Sequence, residues 1–267
     1  MMRRYFHVPG LDVPLEPAEL AAGLSLADRA LPEFEDPDAA ELFAAAAEFG
    51  PLATATGRPV ELFVPERYEP GYPYPLIVWL HGRGRSEREL AQLMPRVSER
   101  NYLGLAFRGT LPGRSVSPRG FGWPASSGDD ALFAEELYET VCRLRRAYHV
   151  HSERIHLAGF DDGATLALRL FLSRPEWFAG AIAFGGRFRG GPGALARYRD
   201  LSGKRVLIGT GARSAAAPVA EAVGTGRLLH SAGLEVTTRT YDAAHELSGE
   251  MLAHLNQWVM EGVCATV

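Results

Sequence analysis

Four short stretches carry the residues able to do chemistry. "RIHLAGFDDGATLALRL" (154–170) runs from an apolar strand pattern through Gly159-Phe160-Asp161-Asp162-Gly163 into an apolar helix pattern. Such a turn needs glycine where backbones crowd, and it lifts its central side chain clear of the sheet. Here that side chain is a carboxylate, Asp161. At a helix start the dipole and the free backbone N–H groups favour negative charge, so Asp161 is expected to be ionised. His245 stands in "YDAAHE" (241–246), between the last strand pattern and the last helix pattern. "HGRG" (81–84) follows a buried strand, and "GARSAAA" (211–217) holds Ser214. A carboxylate facing a histidine favours the imidazolium and leaves a poor base. Ser126 and Ser127 in "WPASSGDD" and Ser86 in "HGRGRSE" read as helix-capping hydroxyls, with Glu89 completing a capping box for Ser86.

These residues must be placed by an alternation of strands and helices that begins at Arg58. "RPVELFVP" alternates like an edge strand, and "YPLIVWLHG" is a continuous apolar run, as in a buried parallel strand. A helix is expected over 87–100, then the strand "YLGLAFRG", then a helix through Tyr148 capped by Asp129 or Asp130. The strand "RIHLAG", a helix over 163–173 and the strand "FAGAIAFGG" follow; "GGPGALARYRD" has room for one helical turn at most. "RVLIGTG", a helix over 218–232, "EVTTRTYD" and a helix over 246–260 close the chain. The pattern predicts an α/β fold with one doubly wound, mostly parallel sheet and helices on both faces, binding ligands at strand carboxyl ends. Residues 1–57 differ in composition and read as an N-terminal extension with one helix near "DPDAAELFAAAAEFG", capped by Asp36 or Asp38 and stopped at Gly50-Pro51. Residues 58–267 form the α/β domain.

Of the 267 residues, 46% are hydrophobic and 22% charged, as in a soluble domain with a full core. A net charge of −4 gives no basic face for nucleic acid, and Lys204 is the only lysine. Cys142 and Cys264 have no metal-ligand spacing; Cys142 is expected in the core. No metal and no cofactor are implied. No stretch approaches the roughly 20 apolar residues of a membrane span. "MMRRYFHVPG" lacks the apolar run of a secretory signal, so a cytoplasmic protein is expected.

The order and spacing of His81-Gly82-Arg83-Gly84, Gly159–Gly163 and the His245 loop resemble the α/β-hydrolase superfamily. The likeness is to its compact carboxylesterases, phospholipase-like esterases and polyhydroxybutyrate-depolymerase-like or feruloyl-esterase-like relatives. It runs from Val60 to Val259 and is densest from "GDDALFAEELYETV" to "AIAFGG". The resemblance implies an α/β-hydrolase fold without a large cap domain, and it gives Asp161 the nucleophile position and His245 the general base. The backbone N–H groups of Arg83 and Asp162 become the oxyanion donors. The acid belongs in the loop 211–217, where Ser214 stands nearest by register.

Two of the three triad positions are therefore altered. An aspartate has no hydroxyl for histidine to activate, and its attack on an ester would form an acid anhydride. Asp161 could also fill the oxyanion hole itself. Three readings stay open. One is a pseudoenzyme whose cleft binds an ester or an anionic compound. Another is an active hydrolase, either of carboxylic esters or through Asp161 attack on an alkyl halide or epoxide. Haloalkane dehalogenases and epoxide hydrolases, which use that chemistry, carry Trp after the nucleophile and a cap. This chain has Asp162 there, and no room for a cap between Gly185 and Arg205. The third is a protein-interaction scaffold using the N-terminal helix. Arg83, Arg85, Arg187, Arg189 and Arg213 lie in cleft-edge loops, either solvated or forming an anion pocket or a partner for Asp161. Oligomeric state is not indicated.

Overall fold

The computed structural model describes residues 53–112, 120–125, 128–188 and 195–265. The expected N-terminal helix, Ser126, Ser127 and Arg189 lie outside them. Seven strands form one sheet: β1 (Val60–Phe63), β2 (Tyr74–Leu80), β3 (Leu103–Phe107), β6 (Val150–Phe160), β7 (Gly180–Phe184), β8 (Arg205–Gly211) and β9 (Glu235–Tyr241). A two-stranded ribbon of β4 (Leu111–Pro112) and β5 (Phe121–Gly122) stands apart. The sheet order is β1-β3-β2-β6-β7-β8-β9, antiparallel only where β1 meets β3. The helices are α1 (Glu89–Val97), α2 (Asp130–Ala147), α3 (Asp162–Ser173), α4 (Tyr198–Leu201), α5 (Val219–Ser231) and α6 (Gly249–Ala265). Between β7 and β8 the described residues form only the four-residue α4.

The continuous apolar runs are explained by burial on both faces. Successive side chains point to opposite sides of a strand. Leu76, Val78 and Leu80 pack with Leu137, Leu168 and Phe171 from α2 and α3. Ile77 and Trp79 pack with Leu90, Met94, Leu252 and Trp258 from α1 and α6 on the other face. Strand β9 is the far edge, and only its last residue, Tyr241, is fully covered.

The expected side-chain caps do not form, and for Asp130 the reason is a competing partner. Helix α1 starts at Glu89 without a side-chain cap from Ser86, and the Glu89 carboxylate lies 3.5 Å from Trp79 Nε1. Asp129 holds the cap position of α2 but makes no capping bond. Asp130 is taken by Arg169 of α3, with Nε to Oδ2 at 2.7 Å and Nη2 to Oδ1 at 3.0 Å. Helix α6 starts three residues later than expected, where Ser248 Oγ accepts the Met251 N–H at 3.2 Å. Cys142 is half-buried rather than a core residue.

Residues just before β1 are tied to the domain. Ala53 bridges Pro59, and the hydroxyls of Thr54 and Thr56 donate to the buried Glu136 carboxylate. Arg58 Nε completes the set at 2.8 Å. Burial raises the Glu136 carboxyl, but Arg58, Thr54 and Thr56 outweigh it, and the net displacement is downward. His156 is pushed the other way from its charged form: burial, then Arg205 and Arg154, lower it from 6.5 to about 3. Below pH 6.5 the unfolded chain takes up a proton that folded His156 refuses, so stability falls with pH from there. Glu136 adds to the loss below 4.5, where only the unfolded chain protonates it. The urea midpoint should therefore begin to fall near pH 6.5, and His156→Gln should flatten that first limb. A wild-type midpoint constant down to pH 4.5 would contradict this.

Candidate active site

Strand β6 delivers Asp161 onto a strained turn. Asp161 has φ 51 and ψ −120, the only positive φ among the described non-glycine residues. Such a conformation costs on the order of 1–3 kcal/mol and persists only when its surroundings fix it. They do so here: Asp161 N–H donates to Phe184 O at 2.9 Å, and Asp161 O accepts from Thr165 N–H at 3.1 Å and Thr165 Oγ1 at 3.2 Å. The flanking glycines are needed for clearance. A Cβ on Gly163 would sit 2.1 Å from Leu80 O, and one on Gly159 would sit 2.7 Å from the Gly163 carbonyl carbon. Gly163→Ala should therefore cost about 1–3 kcal/mol or more by forcing β2 and α3 apart. Gly224→Ala, in open space on α5, should instead stabilise by about 0.5–1 kcal/mol. Urea midpoints of the two variants check the pair; an unchanged midpoint for Gly163→Ala would contradict the packing argument.

The Asp161 carboxylate faces two ways. Oδ2 accepts the Arg83 backbone N–H at 3.3 Å, and Oδ1 lies 3.2 Å from His245 Nε2. This is ion-pair range, although Nε2 has no well-aligned hydrogen bond. On the far side of the ring, His245 Nδ1 lies 3.0 Å from Ser214 Oγ. Ser214 is buried, and its Oγ also accepts the Ala217 N–H at 3.0 Å. The His245 ring lies against Phe160, centroid to centroid 5.0 Å. Asp161, His245 and Ser214 thus form one line. One end of the line meets the Arg83 backbone N–H that the sequence pointed to as an oxyanion donor.

Three of the arginines expected at the cleft edge, Arg83, Arg187 and Arg213, already have acidic partners. Arg83 grips Asp162 with both ends of its guanidinium, Nε to Oδ2 at 2.9 Å and Nη2 to Oδ1 at 2.8 Å. Arg187 does the same to Glu221, at 2.8 and 2.7 Å, and Arg213 pairs with Asp242. The charge partners of Asp161 are thus a backbone N–H and His245, and the guanidinium of Arg83 goes to its neighbour. His81 is buried and structural: Nε2 accepts Gly109 N–H at 2.9 Å, which leaves Nδ1–H to donate to Gly82 O at 2.8 Å. Burial holds its pKa low.

Two parts of the site were not singled out in the sequence. Thr165 ties Asp161 O to the Arg187 N–H, and Phe160 orients His245. A threonine four residues after the elbow and an aromatic one residue before it were the available signals. Among the described residues, no cluster of three or more His, Cys, Asp or Glu could hold a metal ion. Nor is any described helix long and apolar enough to cross a membrane.

Comparison with known proteins concerns the family and the fold. NocK of Nocardia uniformis subsp. tsuyamanensis, named as an esterase, is 29% identical over 157 residues. That stretch is 53% of this chain but 45% of NocK, so the chain spans less than half of that relative. The fold matches a Bacillus cereus carboxylesterase with a TM-score of 0.61 and 21% identity, over 78% of this chain and 96% of that one. A Mesorhizobium loti carboxylesterase matches with a TM-score of 0.62 and 21% identity, over 76% and 94%. The phospholipase/carboxylesterase family model matches residues 128–261, half of the chain, including the elbow and His245. By that match, the sheet order and the elbow, the chain belongs to the phospholipase/carboxylesterase family of α/β-hydrolases.

Proposed function

We propose that this chain is a pseudoenzyme of the carboxylesterase type, which keeps a ligand-binding cleft but does not hydrolyse esters through a serine. One observation carries the reading: the Asp161 carboxylate, on the strained turn between β6 and α3, reaches the Arg83 N–H with Oδ2 and faces His245 with Oδ1. Oxyanion donors speed acyl transfer by holding charge that develops on the substrate oxygen. Here a resident negative charge already uses one of them. Ester attack by that carboxylate would give an anhydride, which conserves none of the logic of the triad. An anionic ligand would meet Asp161 and guanidiniums that already have carboxylate partners. The cleft therefore suits a neutral acyl compound such as an ester better than an anion. With p-nitrophenyl butyrate, the full-length chain should show background turnover, unchanged by His245→Ala. Robust turnover abolished by His245→Ala would overturn the reading.

A second reading draws on the same cradle. With Oδ2 held by a backbone N–H, Oδ1 could displace halide ion from an alkyl carbon, or open an epoxide C–O bond whose oxygen then takes a proton from water, leaving an alkyl ester for water to cleave. His245 would have to activate that water, yet its Nδ1 partner is a hydroxyl rather than a carboxylate. Consumption of a haloalkane or epoxide, with an alkyl mass increment on Asp161, would favour this reading over the first.

A further inference from the structure

The hydrogen bonds around His245 have a direction, and the three partners fix it. Ser214 Oγ already accepts the Ala217 N–H, and its single proton has His245 Nδ1 within 3.0 Å. On the opposite side, Nε2 faces Asp161 Oδ1 at 3.2 Å. An ionised carboxylate only accepts. A bare Nε2 lone pair against that oxygen would be repelled, so the ring proton of the neutral imidazole belongs on Nε2. Nδ1 is then an acceptor, and the Ser214 hydroxyl donates to it.

The ring cannot avoid this arrangement by turning over. A flip would set carbon atoms against both Ser214 Oγ and Asp161 Oδ1 and forfeit both contacts. The ring plane is also held by Phe160 and by Gly185, where even a Cβ would come within 3.1 Å of His245 Cε1. Ser214 itself is not offered to a substrate, since it is only 6% exposed and its Oγ is engaged on both sides.

We propose that Ser214 is a positioning residue that, together with Asp161, holds neutral His245 as its Nε2–H tautomer. The Ser214 hydroxyl then donates to Nδ1, and the Nε2 proton faces the Asp161 carboxylate. A serine hydrolase needs the opposite direction, with Nδ1–H given to an acid and the Nε2 lone pair turned to the nucleophile. The basic lone pair of His245 points away from the cleft, onto a buried hydroxyl. The site is thus disarmed twice, by the carboxylate at position 161 and by the direction of the chain behind it.

This inference rests on the reading of Asp161 as an ionised occupant of the cradle, but its test requires no turnover. Long-range proton–nitrogen-15 correlation spectra of the full-length chain with labelled histidine, recorded at rising pH until the ring is neutral, distinguish the tautomers. The His245 signals are assigned by their loss in His245→Gln. The expected wild-type pattern has Nε2 in the protonated range and Nδ1 in the unprotonated range; a protonated Nδ1 with a bare Nε2 overturns the proposal. In Asp161→Asn/Ser214→Asp the carboxylate stands on the Nδ1 side, and the proton should move there. An unchanged Nε2–H in that variant would show that these side chains do not set the tautomer, and the proposal would fail. If that variant does not fold, the wild-type spectrum still decides. Wild-type ester turnover, by contrast, would overturn the pseudoenzyme reading and leave the tautomer to the spectrum.

Discussion

The double variant Asp161→Ser/Ser214→Asp is expected to hydrolyse p-nitrophenyl esters roughly 1,000- to 10,000-fold faster than Asp161→Ser alone. The single change puts a hydroxyl on the strained turn, beside the Arg83 N–H. It leaves His245 with a hydroxyl rather than a carboxylate on Nδ1, so no acid orients the ring or stabilises the imidazolium. Replacing the triad acid by a neutral group costs about four orders of magnitude in serine hydrolysis. The second change supplies the missing carboxylate, 3.0 Å from Nδ1 by the present Ser214 position. It also meets a donor already in place, the Ala217 N–H. Equal rates for the single and double variants, both above background, would mean that the group at position 214 does not govern the histidine.

The largest stability effect is expected away from this line. Arg108 holds Glu87 with both ends of its guanidinium, Nε to Oε2 at 2.9 Å, and Glu87 is buried. Burial raises the Glu87 carboxyl, but the hydrogen bonds and charge of Arg108 lower it further. Arg108→Ala should cost about 3–5 kcal/mol, because it strands a buried charge. Glu87→Leu/Arg108→Leu should recover most of that, since two apolar groups leave nothing unpaired. Urea midpoints at a common slope decide this; a loss below about 1 kcal/mol in Arg108→Ala would contradict it. The pair also supports the loop of Arg83. Arg108 lies 4.7 Å over the Phe121 ring, and the Phe121 backbone clips the loop that carries Arg83, through Gly84 N–H at 2.8 Å and Arg85 O at 2.7 Å.

Much of the architecture could be read from residue patterns because the physics behind them is local or strongly periodic. "YPLIVWL" is apolar at every position since both faces of β2 are covered, and that alone marks a central strand. The elbow was legible because Gly159 and Gly163 answer a steric demand that no other residue meets. Caps were misread where the competitor comes from afar: Asp130 is 39 residues from Arg169, and no local pattern announces that guanidinium. The antiparallel direction of β1 depends on how its chain returns to β3, which alternation within "RPVELFVP" does not encode. Asp161, His245 and Ser214 could be named from their loops, and the structure brings all three together. The direction of their hydrogen bonds could not be read in advance. The proposed direction depends on which atoms face the two ring nitrogens, Asp161 Oδ1 on one side and Ser214 Oγ on the other, and only the folded chain shows that.

If Asp161 and Ser214 disarm the site as proposed, His245 activates no serine in this chain. Intact-mass analysis after treatment with a fluorophosphonate tests it most directly. The wild type should show no adduct, while Asp161→Ser/Ser214→Asp should take up one equivalent at position 161. A stoichiometric adduct on a wild-type serine, lost in His245→Ala, would contradict the account.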